Sequence, residues 1–263
     1  MTSQQPGGGG RWGASSREDA ARCGHLIPSW RSALVAVAHP DDETFGLGAI
    51  VSCLTASGTA VHVLCFTRGE ASTLNENDSD LRQARARELR QASAALGAAS
   101  VALLDYPDGA LADVPPAELA AHVTGLADLY GADGLLVFDD TGITGHPDHQ
   151  AATRAAMQAA ETAGLPVLAW TLADTIARRL GEETGGTFAG QPPDHIDLSI
   201  RVDRAPQRRA ALMHASQISP AATLWRRLQL QGDREHLRWL IPSAGKPDQL
   251  ENSVGCARRR RRR

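Results

Sequence analysis

No stretch of this 263-residue chain is apolar for long enough to cross a bilayer, which takes about 20 residues. Residues 1–30 also lack the apolar core of a secretory signal, so the chain reads as cytoplasmic, with no membrane partner. Cysteine is scarce: Cys23, Cys53, Cys65 and Cys256 are scattered, with no Cys-x-x-Cys spacing. That argues against a cysteine-built structural zinc site and a disulfide framework, and leaves Cys53 and Cys65 as small buried residues. No internal repeat is present. Positive charge is also short once the end of the chain is set aside. Without Arg258 to Arg263, the 27 basic residues fall to 21 against 30 acidic ones. An acidic body argues against a broad nucleic-acid surface, so no specific nucleic-acid partner is expected.

What remains, 42% apolar and 22% charged, is the composition of a globular protein of ordinary size. Short apolar runs at Ala33–Ala38, Ala60–Phe66, Val101–Leu104, Gly134–Phe138 and Leu165–Trp170 read as buried strands. Helical patterns lie between them at Glu43–Ser57, Ser79–Leu96, from Pro115 and Pro116 to Tyr130, and Ala151–Ala163. Alternation at crossover length predicts a single Rossmann-like α/β domain over 31–242, its mostly parallel sheet covered by helices on both faces. From Thr171 the pattern weakens, with a half-exposed strand over His195–Ile200 and a helix over Ala205–Ser216. Residues 1–30 read as a disordered leader with a short helix near Arg17 to Cys23, and 243–263 as a disordered arginine-rich tail. On the helix over Ser79–Leu96, Arg85 and Glu88 stand three apart and are expected to pair with each other.

The chain is organised around Ala33–Ile50. A buried strand runs into His39, Pro40, Asp41, Asp42 and Glu43, and the space beyond a strand's carboxyl end is where α/β sheets bind ligands. Acids at a helix start are ordinary, but a histidine crowded among them is not. A second constellation, His146-Pro147-Asp148-His149, follows the apolar run Gly134–Phe138. Two such strand ends can converge over one sheet. His39, Asp42 and His149 then supply two imidazoles and a carboxylate, a set that suits zinc with one position open for water, and iron(II) as well.

These residues carry a resemblance. AHPDDE (38–43) with HPDH (146–149) resembles the signature of the LmbE-like, or PIG-L, family of metal-dependent deacetylases, which act mainly on N-acetylglucosamine units. TRGEAS (67–72), RAREL with ALG (85–97), YPDG (106–109) and HASQ (214–217) extend it in order from Ala33 to Trp225. The resemblance implies His39, Asp42 and His149 as metal ligands and Asp41 as general base. It implies His146 as the oxyanion-stabilising histidine, Asp148 as the carboxylate that tunes it, and His214 as a pocket residue. The implied substrate is a small amino-sugar conjugate, with release of acetate; a family amidase cleaving a larger amide, such as a mycothiol-type conjugate, is the alternative. A sugar-binding protein without catalysis ranks below both, since it has little reason to keep ligands, base and oxyanion donor together. Some mycothiol-pathway members carry a tyrosine two residues before the HPDH histidine, where this chain has Thr144. Arg68 and Glu70, on the loop after the second strand at the same sheet edge, read either as sugar contacts or as ordinary solvated loop residues, and Asp108 either faces the cleft or serves only its turn.

Overall fold

The structure, a computed structural model, describes residues 27–74, 80–219 and 222–243. The proposed helix near Arg17 to Cys23, residues 75–79 with the expected helix start at Ser79, and the arginine tail therefore lie outside the described residues. The first strand, β1 (Ser32–Val37), is buried at every position. Alternate side chains meet two different cores: Val35 and Val37 on one face, Leu34 and Ala36 on the other. A strand covered on both sides has no polar face to show, which is why it reads as a continuous apolar run.

After β1 come α1 (Asp42–Phe45), α2 (Gly48–Ala56), β2 (Ala60–Thr67), α3 (Leu81–Ala95), β3 (Ser100–Tyr106) and α4 (Pro116–Tyr130). Then follow β4 (Gly134–Phe138), α5 (Gly142–Gly145), α6 (Pro147–Ala163), β5 (Val167–Thr171) and α7 (Asp174–Thr184). The last elements are β6 (Leu198–Arg201), α8 (Arg204–Ala211), α9 (Thr223–Gln231) and β7 (Arg234–Ile241). They form one seven-stranded sheet in the order β3-β2-β1-β4-β5-β7-β6. The first five strands are parallel, while β7 runs antiparallel to both β5 and β6. Helices α2 and α3 pack on one face, and α4 and α6 on the other. The α/β domain with helices on both faces is therefore as expected. No helix among the described residues is long and apolar enough to cross a membrane.

Four expectations need correction. The helix over Glu43–Ser57 is two helices. Gly46 lies so close to Phe138 that a Cβ there would come within 2.3 Å of its ring, and the chain restarts at Gly48 against Gln207. The strand over His195–Ile200 is shorter and later, Leu198–Arg201, and the helix over Ala205–Ser216 ends at Ala211. The elements α7, α9 and β7 were not foreseen. Finally, Ile27 is buried and Trp30 meets the Trp239 ring edge-on, so the fold starts before residue 31.

Candidate active site

The chain fills one half of the sheet outward from β1, then crosses back to lay β4 on β1's other side. At such a reversal the helices leave in opposite directions, and a crevice opens at the carboxyl ends of the two strands. His39 to Asp42 follow β1 directly. Beyond β4, His146 caps α6 and Pro147 occupies its first turn, where a missing N–H costs nothing. Asp148 and His149 thereby start a helix whose N-terminus faces the crevice.

His39, Asp42 and His149 come together from 110 residues apart. His39 Nδ1 lies 3.2 Å from His149 Nε2, His149 Nε2 lies 3.2 Å from Asp42 Oδ1, and His39 Nδ1 lies 3.6 Å from Asp42 Oδ2. Donors around one zinc, with bonds of about 2.0–2.2 Å, stand roughly 3.3 Å apart in a tetrahedron, so this set fits such an ion. The far side of each ring is also engaged. His149 Nδ1 is 3.1 Å from the Gly142 carbonyl, and His39 Nε2 faces Asp108 at 3.0 Å and Asp148 at 3.3 Å. Partners of this kind fix a ring's orientation and direct its other nitrogen at the shared point.

The electrostatics follow the contacts. Burial lowers the proton affinity of His39, but Asp108, Asp148 and Asp42 outweigh it and hold the ring well above its ordinary value. Burial likewise lowers His149, and Asp42 more than reverses it. For Asp42 burial acts upward, yet His149 and His39 hold its carboxyl well below the usual range. Asp41 differs: burial pushes it up to about 6, with Arg85 opposing and Asp42 adding to the rise.

Asp41 stands apart from the three in geometry too. Its φ is 119°, rare for a residue with a side chain, and its backbone N–H donates to Glu43 Oε2 at 2.9 Å. Its Oδ2 accepts from Arg85 Nη2 at 3.0 Å. Arg85 is buried and also donates to the carbonyls of Gly69, at 2.5 Å, and Pro40. The expected Arg85–Glu88 pair is overturned: Glu88 accepts instead from Ser216 N and Oγ, at 2.8 and 2.6 Å. A signal was present, since Arg85 occupies the apolar stripe of α3 between Leu81 and Leu89, where a solvated partner of Glu88 would not sit.

His146 accepts the Asp148 backbone N–H at Nδ1, at 3.2 Å, so its ring proton sits on Nε2. Burial, then His39 and His149, hold it below its ordinary value, against an upward pull from the Asp148 charge. The Asp148 carboxylate accepts the Gly109 and Leu111 amides, at 2.7 and 3.0 Å, and faces His39. Asp108 therefore joins the cluster, bonded also to Ala71 N at 2.8 Å. Glu70 reaches the Asp108 amide at 3.5 Å, whereas Arg68 pairs with Asp105 at 2.7 Å. His214 is fully buried and donates to Glu43, behind Asp41.

A family model described as PIG-L, GlcNAc-PI de-N-acetylase, matches residues 34–160. A probable N-acetylglucosaminyl-phosphatidylinositol de-N-acetylase of Schizosaccharomyces pombe is 33% identical over 133 residues, 48% of this chain and 51% of that protein. A 1D-myo-inositol 2-acetamido-2-deoxy-alpha-D-glucopyranoside deacetylase of Mycobacterium sp. (strain KMS) is 30% identical over 226 residues, 70% of this chain and 73% of that one. The chain thus spans about half the length of the first relative and nearly three quarters of the second. Among solved structures, the N,N'-diacetylchitobiose deacetylase of Pyrococcus horikoshii superposes with a TM-score of 0.61 at 19% identity, covering 81% of this chain and 85% of its own. A 4-carboxy-2-hydroxymuconate hydratase does so at 0.60, also at 19% identity, covering 82% of this chain and 99% of its own. The fold is thus shared with other chemistry.

Proposed function

The chain belongs to the PIG-L, or LmbE-like, family, and on that premise we propose that it is a cytoplasmic, divalent-metal-dependent hydrolase that deacetylates an N-acetylglucosaminyl conjugate. One observation carries this: donor atoms of His39, Asp42 and His149 stand 3.2–3.6 Å apart, and Asp41 precedes Asp42 in the chain without belonging to the set. Those three residues would hold zinc or iron(II), since two imidazoles and a carboxylate suit both. Such an ion supplies Lewis acidity, acidifying water and polarising the amide carbonyl.

The chain's own groups then divide the work. Asp41, outside the ligand set, accepts the proton of the attacking water. His146, with Nδ1 engaged by the Asp148 amide, donates Nε2–H to the carbonyl oxygen as charge builds there. Deleting one such donor in other hydrolases costs roughly 3–4 kcal/mol of barrier. The leaving amine needs a proton, and Asp41, having taken one from the attacking water, can return it. The relatives named for inositol-linked and phosphatidylinositol-linked N-acetylglucosamine make those conjugates the first to test.

The experiment is a panel of N-acetylglucosaminyl compounds and longer N-acyl analogues with metal-reconstituted protein, scoring acetate against larger acids. Acetate release is expected. Cleavage of the larger amides alone would turn the assignment to an amidase, and no hydrolysis by metal-loaded protein would sink both.

A further inference from the structure

We propose that His214 and Glu43 form a positioning pair that holds the Asp41 backbone where its carboxylate can act as base. This rests on the hydrolase reading for its kinetic consequence, though not for its structural one. Asp41 and Ile143 are the two non-glycine residues with positive φ among the described residues. A residue stays in that region only when its surroundings impose it. For Asp41 the imposing group is the Glu43 carboxylate, whose Oε2 accepts the Asp41 N–H at 2.9 Å.

Glu43 is itself fully buried next to two other acids, Asp41 and Asp42, a place where a carboxylate is costly. Its bonds occupy both oxygens as acceptors. Oε1 accepts the Thr44 hydroxyl at 2.6 Å and His214 Nε2 at 2.8 Å, while Oε2 takes the Asp41 amide. All three partners donate, so an amide in place of the carboxylate would turn its NH₂ against a donor. His214 arrives from 171 residues away and is also fully buried. The residues after it are tied down separately: Ser216 bonds Glu88 on α3, and Gln217 Oε1 accepts from Ser72 at 2.7 Å. The 214–217 segment is thus fixed to α1, α3 and the loop after β2 at once. Neither His214 nor Glu43 belongs to the ligand set, and both reach the chemistry only through Asp41.

The test compares wild type, His214→Ala and His214→Gln, each alone and with Asp41→Asn. His214→Ala is expected to lower kcat by roughly 10–100-fold, as small misplacements of a catalytic group do, with KM and bound metal unchanged. His214→Gln keeps a side-chain N–H and should recover part of the loss. In the Asp41→Asn background His214→Ala should add nothing, because the residue it positions is already gone. Equal losses in both backgrounds would overturn the proposal. Crystal structures give a readout free of any substrate assumption: Asp41 should leave positive φ in His214→Ala. If it stays there with its bond to Glu43 intact, the proposal is wrong even for an active deacetylase. If the wild type deacetylates nothing, the structural comparison still decides. Should His214→Ala fail to fold, Glu43→Gln takes its place in both comparisons.

Discussion

Asp41 and Asp42 are chemically identical neighbours with opposite acid–base character, and the difference lies in what each one faces. Asp42 looks toward His149 and His39, which outweigh burial and keep it ionised. Asp41 looks toward Arg85, which does not fully offset burial and the adjacent Asp42 charge. Asp41→Asn keeps shape but cannot accept a proton, so turnover should fall by roughly 10²–10⁴-fold with metal content unchanged. Asp42→Ala should instead lose metal, and excess metal should partly restore its activity; elemental analysis beside kcat separates the two. Arg85 is reached from a third position. Gly69 has φ 67°, and a Cβ there would stand 2.2 Å from Arg85 Nη1. Gly69→Ala should displace the guanidinium and lower kcat without removing metal. His214 gives a pH test of stability. Burial lowers its proton affinity, but Glu43, then Asp41 and Glu88, raise it above the ordinary 6.5. With a raised folded value, the pair's contribution is complete below that ordinary value and fades as pH rises through the folded one. The denaturation midpoints of wild type and His214→Gln should therefore converge on the alkaline side.

At the scale of elements, what the sequence made legible followed from burial by simple apolar contact. Strands β1, β2, β4 and β5 lie between two cores and announce themselves as Val, Leu and Ala runs. The two His-Pro-Asp clusters follow directly on β1 and a short loop after β4, so their convergence could be expected from two buried strand ends, while the choice of His39, Asp42 and His149 as the ligands is what the family resemblance implies. Strand β7 hides because it is buried through ions. Its Glu235 is fully buried, accepting from Trp170 Nε1 at 2.7 Å, Gln231 Nε2 at 3.0 Å, and Arg204. Its Arg238 pairs with the buried Asp139 at 2.6 Å. A strand written Arg-Glu-His-Leu-Arg-Trp shows neither period nor apolar run, and the partners that license it come from α8, α9, β5 and the residue just after β4. The same physics concealed the roles of Arg85 and Glu43, buried side chains that reach Asp41 and His214 across 44 and 171 residues. Removing one member of a buried pair strands the other, so Arg204→Met should cost about 3–5 kcal/mol in chemical denaturation. The fold should loosen around α9 and β7, where Arg204 also bonds the Gly232 carbonyl at 2.9 Å.

At the scale of the whole molecule, the site joins the two halves of the sheet. His39 and Asp42 belong to the half that runs from β1 out to β3, and His149 to the half that begins with β4. A cation held by all three would tie together segments 110 residues apart in sequence. Only the folded chain offers that set of donors, so binding must stabilise the fold by mass action. At a free metal concentration about 100 times the Kd, the gain is about 2.7 kcal/mol. For a domain of this size each kcal/mol moves Tm by roughly 2–4 °C. Metal-loaded protein should thus melt roughly 5–11 °C above chelated protein. His149→Ala should abolish the difference while leaving the chelated Tm nearly unchanged. The same shift should survive in a chain trimmed to residues 27–243, which keeps Ile27 and Trp30 in their contacts with the core and β7. A melting temperature indifferent to zinc, iron(II) and chelator alike would mean that these donors converge without holding an ion. The proposed chemistry, which depends on that ion to acidify water, would then fall with it.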